Sequence, residues 1–392
     1  MNAGPTLNMS EAMRLMQAGD LIAATAAIQC GLNGAASPHS PAGPSAPHPE
    51  PIDGTYRVVD ETPRTTKGAE CLPSRAREQG RDSTAEQRTQ FSEHTYKGLA
   101  GVRRYKLFIP SAYRGQPLPL IVMLHGCTQT PDDFAVGTRM NALAQERACM
   151  VVYPAQAQSA NASKCWNWFK PGDQHRDRGE PSIIAGLVRE LLLTWGLDRE
   201  RVYVGGLSAG GAMAVILARE YPDLFAAVGV HSGLPYAAAH DLPSAIAAMH
   251  SRDRSAPDAA PLEDRNWRNG VPTIVFHGDV DAMVHPSNGE KVARQSARTH
   301  SHEDCGTASA AAPTVERHAG TVPQGHAFTR TKFTDSAGTV IVEHWLVHGA
   351  AHAWSGGDPR GSYTDASGPD ASREMLRFFL DRARWQRPLT TG

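Results

Sequence analysis

No apolar run in this chain reaches the ~20 residues that a bilayer-spanning helix needs. The chain also lacks a charge of either sign in excess: 39 Lys and Arg stand against 40 Asp and Glu, a net charge of −1. The first absence argues against a membrane span. The second removes the electrostatic basis for binding nucleic acid or an anionic membrane surface. Met1-Asn2-Ala3-Gly4-Pro5 has neither the basic stretch nor the apolar core of a secretory signal, so the cytoplasm is the expected compartment. Cysteine is sparse, with 6 in 392 residues, and no Cys/His cluster has zinc spacing. No Gly-rich phosphate loop and no internal repeat occurs. Neither a metal nor a cofactor is therefore expected.

What is present is 41% hydrophobic residues, enough for a globular enzyme core, distributed unevenly. Residues 1–32 form a short N-terminal segment in which Leu21, Ile22, Ile28 and Leu32 make an apolar stripe at helical spacing. Residues 33–94 are rich in Pro, Gly, Ser and charge and hold few large apolar side chains. Such a stretch cannot bury enough surface to offset ordering entropy, and a mostly disordered linker is expected there. Residues 95–386 alternate apolar strand runs with helical patterns, which predicts an α/β domain with a mostly parallel sheet flanked by helices. Helices are predicted over 140–147, 182–195 and 370–385, an irregular insertion over 299–325, and a hairpin over 328–347.

The sharpest local signal is Val202-Tyr203-Val204-Gly205-Gly206-Leu207-Ser208-Ala209-Gly210-Gly211-Ala212-Met213. An apolar strand runs into Gly-x-Ser-x-Gly and then into an Ala-rich helix, the context in which this pattern means a nucleophile elbow. Gly206 and Gly210 are required there because a Cβ would strike the neighbouring backbone. Ser208 is the candidate nucleophile, and the amide of Ala209 at the helix start is aimed at an oxyanion.

An acid and then a His should follow in chain order. The buried run Val271-Pro272-Thr273-Ile274-Val275-Phe276 ends in His277-Gly278-Asp279-Val280-Asp281. Asp281 is the favoured acid, because the turn at His277-Gly278 needs residues before a carboxylate is presented. Asp279 then reads as a turn or capping residue. With 17 His in the chain, any one His is uninformative alone. His352, however, lies on the loop after the strand pattern of 339–347, where a general base belongs, and His348, nearer the strand, reads as structural. An earlier buried strand, Leu118-Pro119-Leu120-Ile121-Val122-Met123-Leu124, leads into His125-Gly126-Cys127-Thr128-Gln129, and the Cys127 amide is the candidate second oxyanion donor.

Five segments taken together resemble the polyhydroxybutyrate depolymerase family of esterases: 124–129, Cys165-Trp166-Asn167-Trp168-Phe169, 206–213, 277–281 and His348-Gly349-Ala350-Ala351-His352-Ala353-Trp354. They occur in family order, and the resemblance covers roughly 96–380. It implies an α/β-hydrolase fold, hydrolysis of short-chain polyhydroxyalkanoate esters, and a triad of Ser208, Asp281 and His352 with Cys127 and Ala209 at the oxyanion. Relatives of the family include feruloyl and acetylxylan esterases, so other esters are the alternative substrates. A granule-surface binding protein is the alternative from a different class, but binding alone has no need of a triad. Secreted members of the family make the extracellular space the alternative compartment.

Cys127 and Cys165 both fall in these segments. A disulfide between them would pin the loop after 124, whereas reduced thiols are the default in a cytoplasmic protein, and the sequence leaves this open. Cys30, Cys71, Cys149 and Cys305 are expected unpaired. Trp166, Trp168 and Trp354 are candidates for lining a substrate groove, with core packing as the alternative for each. The segment 355–363 reads as a flexible loop beside His352 that could contact polymer.

Overall fold

The computed structural model describes residues 89–252, 270–300 and 312–383. The expected N-terminal helices, the linker as far as residue 88, and Cys30, Cys71 and Cys305 lie outside the described residues. Residues 90–94, expected in the linker, already belong to a strand.

A ten-stranded sheet organises the molecule, in the order β1-β2-β4-β3-β5-β6-β7-β10-β9-β8. Its middle is parallel: β4 (Met150–Pro154), β3 (Leu120–Leu124), β5 (Val202–Leu207), β6 (Ala227–His231), β7 (Thr273–Gly278) and β10 (Val340–Val347). Five of the six are buried at every residue. Strands covered by helices on both faces need apolar side chains on both, which is why these runs are continuous rather than alternating. One edge is the antiparallel pair β1 (Gln90–Gly98) and β2 (Gly101–Ile109). The other is the antiparallel ribbon β9 (Ala327–Thr334) and β8 (Thr314–Thr321).

Seven α-helices are present among the described residues. α3 (Gly179–Thr194), α4 (Ala209–Glu220), α5 (Leu242–His250) and α6 (Ser287–His300) pack in one core layer. α1 (Pro131–Thr138), α2 (Met140–Arg147) and α7 (Ala371–Leu380) pack in the other. No helix among the described residues is long and apolar enough to cross a membrane. Two elements depart from expectation. β8 replaces part of the irregular insertion expected over 299–325; nearly all of its residues are exposed, so no apolar alternation marks it, and the ladder to β9 holds it. α1 was not foreseen; it has little apolar periodicity, and its signals are local, Pro131 in the first turn and Thr130 accepting from the Asp133 amide.

Register brings four strand ends together at the carboxyl edge of the sheet. Leu124 pairs with Gly206, Leu207 with His231, and Gly278 with Val347. The loops that leave β3, β5, β7 and β10 therefore converge where open α/β sheets bind ligands.

Three buried histidines tie this fold to pH. Burial holds His125 down to about 4, and His231 and His344 down to about 3, from 6.5. Above pH 6.5 each is neutral whether folded or unfolded. Below 6.5 the unfolded chain takes up protons that the folded chain refuses, so stability is lost as pH falls toward the folded values. Each group removes about 1.4 kcal/mol per pH unit, so the three together should remove on the order of 4 kcal/mol between pH 7.5 and 5.5. Urea unfolding at the two pH values measures this. An unchanged midpoint would mean these histidines are not held neutral.

Candidate active site

Ser208 stands between β5 and α4 at φ 56 and ψ −120, a left-handed backbone that a non-glycine residue enters only under constraint. The constraint is visible. A Cβ on Gly210 would lie 2.1 Å from the Leu124 carbonyl oxygen, so the start of α4 can press against β3 only with glycine there. The Ser208 amide donates to the His231 carbonyl at 2.9 Å, which fastens the turn to β6. Ser208 faces a cavity that it shares with Ala209, Gly126, Cys127 and His352.

The loops after β7 and β10 are laced to each other. The Asp279 amide donates to the Val347 carbonyl at 3.0 Å and the Val280 amide to the Ala350 carbonyl at 3.2 Å. A Cβ on Gly278 would come within 2.1 Å of the Ala350 oxygen, so the approach depends on that glycine. Two Asp–His pairs result. Asp279 Oδ2 lies 2.9 Å from His348 Nδ1, and its Oδ1 accepts from the Gly349 amide at 2.7 Å, a capping arrangement at the rim. Asp281 Oδ2 lies 2.7 Å from His352 Nδ1, and its Oδ1 accepts from the amides of Met283 at 2.9 Å and Val284 at 2.8 Å.

Burial alone would push the Asp281 carboxyl up, but hydrogen bonds from His277 and His352 outweigh it and hold it well below the usual carboxylate range. Asp281 is thus a carboxylate at neutral pH. It fixes the Nδ1–H tautomer of His352 and leaves Nε2 free to accept.

The loop after β3 is braced from behind. The His125 Nδ1–H donates to the Gly126 carbonyl at 2.8 Å, and its Nε2 accepts the Gln156 amide at 3.1 Å. Trp166 Nε1 donates to the His125 carbonyl at 3.0 Å. A disulfide joins Cys127 to Cys165, closing the pairing that the sequence left open. Cys149 is a free, buried thiol, pushed up to about 12 by burial.

Beneath the disulfide runs a buried polar chain. Arg103 donates to Gln156, which donates to Glu180 and, at 2.9 Å, to the Cys165 carbonyl. Glu180 also accepts from the Asn167 amide at 2.8 Å. The amides of Gly126 and Thr128 are spent on Gln129 Oε1 at 2.8 Å and the Ser163 carbonyl at 2.7 Å. Among the described residues neither the Cys127 nor the Ala209 amide donates to a protein acceptor.

Exchanging both cysteines, Cys127→Ser with Cys165→Ser, opens a loop of sequence separation 38. Chain-entropy arguments put the loss at roughly 2–4 kcal/mol. The expected outcome is a lower denaturation midpoint and a fall in kcat larger than any rise in KM, because the freed loop carries the Cys127 amide. Equal stability with and without reductant in the wild type would contradict it.

Of the three tryptophans expected to line a groove, only Trp168 does so. Trp166 is 0% exposed and Trp354 1%. Trp166 is held by its bond to the loop after β3, and Trp354 donates to Ser372 Oγ at 3.0 Å while its ring stacks on His231. Each buries a large ring whose N–H finds an internal acceptor, the arrangement that suits tryptophan in a core. The wall also includes Leu207, Leu234, Met249, Met283, Val284 and Tyr363; of these only Tyr363 falls in a segment, 355–363, that the sequence suggested as a substrate contact. They come from distant segments, and only the topology assembles them.

Tyr363 sits in the stretch expected to be a flexible loop, and that stretch is pinned instead. β11 (Trp354–Ser355) pairs with β12 (Thr364–Asp365), and the Ser362 amide donates to Asp133 at 2.8 Å. Tyr363 itself has φ 51, and its hydroxyl is 3.5 Å from Thr128 Oγ1.

Residues 103–319, more than half of the 392-residue chain, match the model of the family described as Esterase PHB depolymerase. The chain belongs to that family. Poly(3-hydroxyalkanoate) depolymerase C of Paucimonas lemoignei is 33% identical over 239 residues, covering 60% of this chain and 54% of that protein. Feruloyl esterase B of Neurospora crassa is 28% identical over 198 residues, covering 47% of this chain and 65% of that protein. The chain thus spans between about half and two thirds of the length of these two relatives. Among solved structures, an acetyl xylan esterase from Aspergillus awamori superposes with a TM-score of 0.55 at 18% identity, covering 74% of this chain and 99% of that one. This likeness carries the α/β-hydrolase fold, as the sequence led us to expect.

Proposed function

We propose that this member of the Esterase PHB depolymerase family is a serine carboxylic ester hydrolase, and that its substrate is polyhydroxybutyrate or another short-chain polyhydroxyalkanoate. One observation carries the reading. His352, with its tautomer fixed by the 2.7 Å contact to Asp281, opens onto the same cavity as Ser208 on its strained turn.

The chemistry follows from the proton inventory. Ser208 Oγ attacks the ester carbonyl carbon, and His352 Nε2 takes the hydroxyl proton. The carbonyl π pair moves onto oxygen, which the amides of Cys127 and Ala209 on the cavity wall stabilise as donors. Asp281 stabilises the imidazolium. The C–O bond to the alcohol then breaks, and His352 returns its proton to the departing oxygen. Water repeats the sequence on the acyl-serine and releases the acid. The protein groups account for every proton transferred.

The apolar wall of Trp168, Leu234, Met249, Met283 and Val284 supports a small apolar acyl group, as in a hydroxybutyrate unit. A granule surface is the corresponding partner. Feruloyl and acetylxylan esters remain the second reading, favoured by the feruloyl esterase relative and by a probable acetylxylan esterase A of Aspergillus flavus at 27% identity. The Cys127–Cys165 disulfide supports an oxidising compartment rather than the cytoplasm.

A hydrolysis screen over short p-nitrophenyl esters, hydroxybutyrate oligomers, amorphous polyhydroxybutyrate, methyl ferulate and acetylated xylan tests the assignment. The highest kcat/KM on oligomer with release from polymer is expected. A preference for methyl ferulate or acetylated xylan by more than tenfold would move the chain to the second reading.

A further inference from the structure

His277 is the penultimate residue of β7, lies beside the Asp281 carboxylate and is 0% exposed. Its Nε2 lies 2.8 Å from the Val284 carbonyl oxygen and 3.4 Å from Asp281 Oδ2. A carbonyl can only accept, so Nε2 must carry the hydrogen. The opposite tautomer would set a nitrogen lone pair against two oxygens around a fully buried ring. Nδ1 is buried and has no hydrogen-bond partner. The first turn of α6 closes over it, since a Cβ on Gly289 would lie 2.6 Å away. A hydrogen on Nδ1 would therefore be buried without an acceptor, and the geometry places the N–H on Nε2.

We propose that His277 is a positioning residue for Asp281, its single N–H shared between the Val284 carbonyl and Asp281 Oδ2. This rests on reading Ser208, His352 and Asp281 as a triad. A carboxylate offers about four lone-pair positions. Oδ1 fills two with the amides of Met283 and Val284, and Oδ2 fills one with His352. His277 fills the last. By gripping the Val284 carbonyl as well, it also holds the segment whose amides feed Oδ1. The carboxylate can then neither rotate nor admit water, and its remaining direction of interaction is toward His352.

One consequence differs from that of a merely structural histidine. Removing the N–H concentrates charge on Asp281, which stabilises the His352 imidazolium. The groups that face His277 are Asp281 on its own loop, His231 from β6 and His344 from β10, with His352 across the carboxylate. His231 and His344 are held down to about 3 by burial and carry no charge near neutrality. The acid limb of kcat/KM then reports the His352–Asp281 pair as a coupled unit.

The test uses the full chain with a soluble p-nitrophenyl ester. His277→Leu should lower kcat about tenfold to hundredfold, the range for losing a hydrogen bond to a charged group, and leave KM unchanged. The acid limb should move to higher pH by roughly half a unit or more. His277→Gln, which keeps a donor, should restore the wild-type limb. In an Asp281→Asn background, His277→Leu should add little. Nitrogen-15 NMR of the wild-type histidines supplies a readout that needs no variant to fold, and should show His277 with its proton on Nε2. A limb that stays in place in folded His277→Leu, or a proton found on Nδ1, overturns the proposal. Should Ser208→Ala keep wild-type activity, the triad reading fails instead, whatever His277 does.

Discussion

Replacing Ser208 by Ala should lower ester hydrolysis by on the order of a millionfold while leaving the unfolding midpoint close to that of the wild type. The hydroxyl is the group that would form the acyl bond, and no other aliphatic hydroxyl or free thiol lines the cavity among the described residues. Leu207 and Ala209 beside it are apolar, and Cys127 is locked in a disulfide. The fold should tolerate the change, because the turn is held by the Ser208 amide bond to the His231 carbonyl at 2.9 Å and by the contact of Gly210 with β3, neither of which involves the hydroxyl. Ala keeps a Cβ and so keeps the backbone strain at φ 56. Rates on a soluble ester, with circular dichroism to establish the fold, measure both halves. Hydrolysis within tenfold of wild type in folded Ser208→Ala would remove the basis for the whole mechanism.

The second large effect separates two carboxylates only two positions apart. Asp281→Asn should lower kcat by roughly ten-thousandfold, since an amide in place of the carboxylate presents the wrong tautomer of His352 and leaves its imidazolium unsupported. Asp279→Asn should cost no more than about tenfold. Its partners are His348, which is 39% exposed, and the Gly349 amide at 2.7 Å, so its loss loosens the rim without touching the reacting groups. Parallel kinetics on the two variants decide the matter. If Asp279→Asn proves the more damaging, Asp281 is not the triad acid.

Much of this centre could be read from the chain because its signals are local. The run from Val202 to Met213 joins a β-period apolar stretch, two required glycines and an Ala-rich helix within a dozen positions, so the elbow needs no tertiary information. The choice of Asp281 over Asp279 rests on how many residues a tight turn consumes; in the structure Asp281 lies 2.7 Å from His352 and Asp279 2.9 Å from His348.

What was not legible depends on contacts between distant segments. Trp166, Trp168 and Trp354 carry the same aromatic signal, but Trp166 finds an acceptor 41 positions away in His125 and is drawn into the core. Trp168 is left to line the cavity. Met249, Met283 and Tyr363 are unremarkable in sequence and meet only because α5, the β7 loop and the β11–β12 loop converge over Ser208. β8 escaped notice because an exposed strand carries no apolar alternation, and its pairing with β9 is invisible before the chain is folded.

The most direct test is covalent capture with a fluorophosphonate, which reacts with a serine hydroxyl that an adjacent base activates. Intact-mass analysis should show one adduct per chain, peptide mapping should place it on Ser208, and hydrolytic activity should fall in proportion to labelling. His352→Ala should leave Ser208 unlabelled on the same timescale. Labelling at any other residue with proportional loss of activity, or full activity after Ser208 is stoichiometrically modified, would contradict the assignment of Ser208 as the acyl-accepting group.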